Sequence, residues 1–198
     1  MKNTKTTLSI SAALLAGSLL MAGCAPAGTE HAGTDHGAGM GASQQAEAET
    51  HNSADTMFAQ MMIPHHEQAV QMSEILLDKD PLSPDLAKLA TEIKEAQAPE
   101  ISLMDSWLAA WGEPRAVGHD MEMEGMLGAA EIDSLESARG TRAEELFLRR
   151  MIEHHLGATK MAEEALASGK DPKVLDLSRE IISAQNAEIG LMREMLKR

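Results

Sequence analysis

The chain has a single cysteine, Cys24, among 198 residues. That excludes an internal disulfide framework and any Cys-rich zinc site. Aromatic side chains are almost missing: Phe58, Trp107, Trp111 and Phe147 are the whole set, and there is no Tyr. Sandwiches and barrels draw on aromatic and β-branched residues, so an all-β fold is disfavoured. Basic charge is short too, with 17 Lys and Arg against 31 Asp and Glu and a formal net charge of −14. Such a surface repels nucleic acid and anionic lipid, and it draws in cations. The apolar run from Leu8 to Leu20 is too short for a membrane-spanning helix. Against these shortages stand 15 Met and 8 His. At roughly 150 residues per domain, the length suits one domain with tails.

Lys2 and Lys5 precede the apolar run, the arrangement of a secretory signal peptide. The run ends Leu20-Met21-Ala22-Gly23-Cys24, and small residues before a Cys resemble the lipobox of bacterial lipoproteins, with Met21 where Leu is usual. A signal peptide over 1–23 and a lipid anchor at Cys24 are expected, placing the protein outside the cytoplasm on the bacterial cell membrane. Plain secretion with a leftover thiol is the alternative. Loss of Lys2 and Lys5 with the leader leaves 15 basic against 31 acidic residues, a net −16. Residues 24–52 are Gly, Ala, Ser and Thr with His31, His36, Met40 and His51, and show no apolar period. This composition predicts a flexible tether whose His are ordinary solvated side chains.

The remainder, 53–198, is duplicated. Met62-Ile63-Pro64-His65-His66 followed by Ala69 and Met72 matches Met151-Ile152-Glu153-His154-His155 followed by Ala158 and Met161 at an offset of 89. Phe58 matches Phe147 at the same offset of 89. Downstream, Gln97, Glu100 and Met104 match Gln185, Glu188 and Met192 at an offset of 88. Each copy reads as one supersecondary unit of two helices. Helices are expected from Ser53 or Asp55 to Leu77, from Pro84 to Trp111, from Arg142 to Ala167, and from Pro172 to the C-terminus. Ser83-Pro84 and Asp171-Pro172 supply the N-caps and the first-turn prolines. Pro64 and Pro99 fall inside helices and are expected to kink them. The fold class is therefore all-α: an antiparallel four-helix bundle of two repeated hairpins, 53–111 and 141–198, joined by a Met-rich connection over 112–140.

At 100° per residue the first helix gathers Phe58, Met62, His65, Ala69, Met72 and Leu76 into one stripe, and the third gathers Phe147, Met151, His154, Ala158, Met161 and Ala165. His65 and His154, beside His66 and His155, thus interrupt faces that should be apolar. Gln97 with Glu100 and Gln185 with Glu188 do the same on the second and fourth helices. A carboxylate on a core stripe needs a partner. Counting residues to each hairpin turn puts these imidazoles and carboxylates at one level of the bundle. One reading is a hydrogen-bonded layer that only fixes register. The other is a metal site, favoured by duplication of the His-His pair with Met on the same stripe.

The donor types select the metal. Carboxylate-bridged di-iron bundles use Glu-x-x-His, and no His here has Glu three residues before it. The chain reads Met62-x-x-His65 and Met151-x-x-His154 instead. Thioether with imidazole selects copper, Cu(I) above all, over iron, and zinc rarely accepts thioether. The connection adds His119, Met121, Met123 and Met126, a spacing that resembles the methionine motifs of extracytoplasmic copper proteins. Packing of these Met on the bundle is the structural alternative. Met57, Met61, Met104, Met192 and Met195 read as ordinary core.

The doubled Met-Ile-x-His-His-x-x-Ala-x-x-Met motif, each copy followed by Gln-x-x-Glu-Ile and a Met, resembles the DUF305 family over residues 53–198. The resemblance implies a ferritin-like four-helix fold, a secretory or lipoprotein leader, and a copper-binding, copper-tolerance role at the periplasm or cell surface. On the two arguments together, Met62, His65, His66 and Met72 are expected to bind copper in one half, and Met151, His154, His155 and Met161 in the other. Gln97, Glu100, Gln185 and Glu188 would orient the imidazoles or ligate directly. The competing readings are a di-metal oxidoreductase using iron, and a metal-free interaction module. No catalytic residue is assigned, a binder is favoured over an enzyme, no nucleic-acid partner is expected, and homo-oligomerisation is left open.

Overall fold

The computed structural model describes residues 50–116 and 123–198. The expected leader, Cys24, His31, His36 and Met40, and His119 and Met121 of the connection, lie outside the described residues. The described chain forms α1 (Ser53–Leu77), α2 (Pro84–Trp111), α3 (Ala129–Ser137), α4 (Gly140–Ser168) and α5 (Pro172–Met195). Among the described residues no helix is long and apolar enough to cross a membrane.

Local chemistry accounts for the helix ends. The Asn52 side chain accepts from the N–H groups of Ala54 and Asp55, and Asp55 reaches back to the Asn52 N–H at 2.8 Å. The Asp55 carboxylate also accepts from the N–H groups of Lys170 and Asp171, at 3.0 and 3.1 Å. One buried side chain thereby ties the start of α1 to the α4–α5 turn. Asp171 caps α5 through the Lys173 N–H at 2.8 Å, as the sequence predicts. Ser83 does not cap α2 with its hydroxyl; its N–H instead donates to Glu144 of α4 at 2.7 Å. Both α1 and α2 run through Pro64 and Pro99 as single helices. Pro64 is half-buried and Pro99 exposed.

The connection expected to be irregular contains α3. Gly128 begins it, the Glu131 carboxylate accepts the Gly128 N–H at 3.0 Å, and Leu135 is driven fully into the core. A helix of 9 residues shows too few apolar repeats to stand out from sequence.

Hairpin α1–α2 meets hairpin α4–α5 chiefly along α1 and α4. The Asn52 amide donates to the Ser168 carbonyl at 2.8 Å, so the start of α1 lies beside the end of α4 and the two run antiparallel. Two apolar clusters result. One holds Phe58, Met62, Trp107, Met161 and Leu177, and the other holds Met72, Leu86, Phe147, Met151 and Met192. Each such side chain contributes about 1.5–3 kcal/mol on burial. Between the clusters lies a polar layer.

Candidate metal centre

His66 and His155 are fully buried, and each hydrogen-bonds one carboxylate within its own hairpin. The His66 Nε2 to Glu100 Oε2 distance is 2.7 Å, and that of His155 Nε2 to Glu188 Oε2 is 2.6 Å. Residue counting from the turns expects this shared level, and α1–α2 and α4–α5 supply it twice. An ionised carboxylate can only accept, so the Nε2–H donates, and in the neutral ring Nδ1 carries the lone pair. Among the described residues neither Nδ1 has a partner. This is the arrangement in which a carboxylate sets the tautomer of a metal-ligating imidazole.

His65 and His154 meet on the axis between the hairpins, with ring centroids 3.7 Å apart and planes tilted by 37°. All four of their ring nitrogens lack a hydrogen-bond partner among the described residues. Burial, then the neighbouring His66, holds the His65 imidazole down to about 3. The Glu124 backbone beside the ring opposes that shift. Burial, then His65 and His155, pushes His154 well below the usual histidine range. Both rings are therefore neutral and able to donate a lone pair. Gln97 and Gln185 are buried at the same level with their Oε1 atoms unpartnered among the described residues.

Buried polar atoms without partners are costly, at roughly 1–3 kcal/mol each. A layer holding six such imidazole nitrogens and two such amide oxygens has the donor chemistry for a cation. Among the described residues, no three His, Cys, Asp or Glu side chains are grouped to hold a metal ion. Met62, Met72, Met151 and Met161 are all buried. Met62 falls in the same apolar cluster as Met161, and Met72 in the same cluster as Met151. The antiparallel crossing of α1 and α4 is the reason. Met62 and Met151 stand three residues before their His, about 5 Å along the axis; Met72 and Met161 stand seven beyond, about 10 Å.

The connection packs against this layer. A Cβ on Gly125 would lie 2.6 Å from the Glu153 carbonyl oxygen and 3.0 Å from the His154 Cα. One on Gly157 would lie 1.9 Å from the Glu124 carbonyl oxygen. Gly125 has φ +84°, which admits Gly at no steric cost. The Gln68 amide clamps the same segment, donating to the Leu127 carbonyl at 2.9 Å and accepting its N–H at 2.7 Å. Met123 and Met126 flank this turn and are half-buried. Sequence reasoning missed Gly157 and Gln68. A glycine inside an otherwise regular helix was the available signal for the first.

The chain matches the model of DUF305, a domain of unknown function, over residues 55–196. Three solved structures are similar. A DUF305 protein of Streptomyces coelicolor, described as secreted, is 34% identical with a TM-score of 0.69, covering 73% of this chain and 91% of its own. A DUF305 fragment of Deinococcus radiodurans is 32% identical with a TM-score of 0.68, covering 74% and 97%. CopM in its Cu(I)-bound form is 32% identical with a TM-score of 0.62, covering 72% and 95%. CopM also matches in Cu(II)-bound, Ag-bound and apo forms. No curated protein matches the chain.

Proposed function

The chain belongs to the DUF305 family, and from that premise we propose that it is an extracytoplasmic copper-binding lipoprotein, anchored at Cys24, that sequesters copper or hands it on. One observation carries the reading: two buried neutral imidazoles, His65 and His154, face each other with every ring nitrogen unpartnered among the described residues. Met62 and Met151 are the nearest thioethers along the helices, with Met72 and Met161 behind them. His66 and His155, set by Glu100 and Glu188, hold further lone pairs. Met123 and Met126 stand in the connection beside Gly125, and His119 and Met121 precede them in sequence. Neutral sulfur and nitrogen donors suit Cu(I) over iron or zinc. The likeness to CopM supports the choice of cargo, and the net −14 charge concentrates cations around the site.

Copper titration of the protein is the test. At a free Cu(I) concentration 100 times the dissociation constant, binding stabilises the fold by about 2.7 kcal/mol, whereas Fe(II) raises the melting temperature little. His65→Leu with His154→Leu preserves apolar volume and removes the central donors. If that pair leaves copper stoichiometry and the thermal shift unchanged, the histidine layer is not the site.

A further inference from the structure

Composition places His51 in the tether and helical periodicity places Met57 in the core, and the structure moves both. His51 lies parallel on Trp111, with ring centroids 4.4 Å apart and planes within 6°. Neither of its ring nitrogens makes a hydrogen bond among the described residues. Met57 points outward and is 49% exposed. Full burial of a methionine stabilises a fold, so an exposed thioether beside an unbonded imidazole draws no support from packing. His51, Met57 and Glu113 line one cleft of about 350 Å³. Gln60 keeps that cleft in shape, its amide donating to the Pro114 carbonyl at 2.7 Å and holding the chain after α2 against α1.

We propose that His51, Met57 and Glu113 form a second soft-cation site at the end of the bundle where the chain enters α1, with His51 held in place by its stack on Trp111. The stack occupies one face of the imidazole and leaves its edge, where both nitrogens lie, available for ligation. Imidazole and thioether together select a soft monovalent cation such as Cu(I) or Ag(I). The Glu113 carboxylate, on the same cleft, balances its charge. Unlike the histidine layer, this cleft opens to solvent, so its ion exchanges without movement of the core. That suits a capture site, where cations arrive from solution. The proposal shares with the proposed function only the class of cargo, and no residue is common to both.

The test is titration of the full-length protein with Ag(I), a soft cation without redox chemistry, read by tryptophan emission and by bound metal after gel filtration. It is run in parallel on the parent and on His65→Leu with His154→Leu, which isolates the cleft from the layer. In both, Ag(I) is expected to quench tryptophan emission saturably. Met57→Leu keeps the His51–Trp111 stack and, being on the surface, the fold. It should weaken the quenching by about tenfold or more. Adding His51→Ala should abolish the quenching and remove one bound Ag(I). Unchanged quenching in Met57→Leu and in the double variant overturns the site. So does quenching that vanishes with His65 and His154 alone, because the emission would then report the layer. A protein that binds no copper at the layer yet keeps the Met57-dependent quenching refutes the first proposal and supports this one.

Discussion

The carbonyl oxygen of Glu124 occupies the place that a side chain on Gly157 would need, 1.9 Å from an ideal Cβ. The connection between the hairpins therefore lies directly on α4, one turn past His154. The absence of two β-carbons, at Gly125 and Gly157, makes that approach possible.

Gly157→Ala accordingly pushes the connection off the bundle. Overpacking of this kind costs roughly 1–3 kcal/mol, more than the ~1 kcal/mol that Ala gains over Gly in a helix. The expected result is a lower urea midpoint and faster exchange of the Leu127 amide, which Gln68 now protects. Gly190→Ala in α5, where nothing lies within 4 Å, is the control and should stabilise. Equal effects from both would show that the contact carries no energy.

Acid should destabilise the protein through its central pair. His65, held at about 3, and His154 are neutral in the folded state, while their unfolded counterparts titrate near 6.5. The unfolded chain then binds more protons between those values, so stability is complete above pH 6.5 and falls as pH drops toward the folded-state value. Each ring costs about 1.4 kcal/mol per pH unit in that window. Urea midpoints at pH 7.5 and 5.5 measure the loss. His65→Leu with His154→Leu should flatten this limb, and an unchanged slope would place the titration elsewhere.

Glu100 and Glu188 stand in equivalent places, so Glu100→Gln and Glu188→Gln should act alike. Either change replaces an anionic acceptor for an imidazole N–H with a neutral one. Copper affinity should fall by about 10–100-fold in each, read by competition with a chromophoric Cu(I) chelator. A loss in one and not the other would mean that only one half contributes.

Much of the architecture was legible because it is written in short-range patterns. The offset of 89 between Met62-Ile63-x-His65-His66 and its copy announced two hairpins. The proline signals at Ser83-Pro84 and Asp171-Pro172 fall where α2 and α5 begin, although only Asp171 caps with its side chain. The level shared by His66 and Glu100, and by His155 and Glu188, followed from counting along two helices joined by one tight turn. Three features escaped. The start of α3 rests on a glycine and one buried leucine, too little for a periodicity. Met57 sits beside Phe58 in a helix end where the stripe narrows, and its outward direction depends on what packs there. The meeting of Gly157 with Glu124 joins residues whose approach no local pattern records.

Periodicity and capping are properties of neighbours in the chain, so the primary structure was enough to specify four long helices, their pairing into two hairpins, and a polar band across their apolar faces. The face-to-face contact of His65 and His154, the sorting of Met62 with Met161 and Met72 with Met151, and the seat of the connection on α4 depend on how one hairpin crosses the other. That crossing minimises exposed apolar area over the whole molecule, a global sum to which every buried side chain contributes and which no single segment contains.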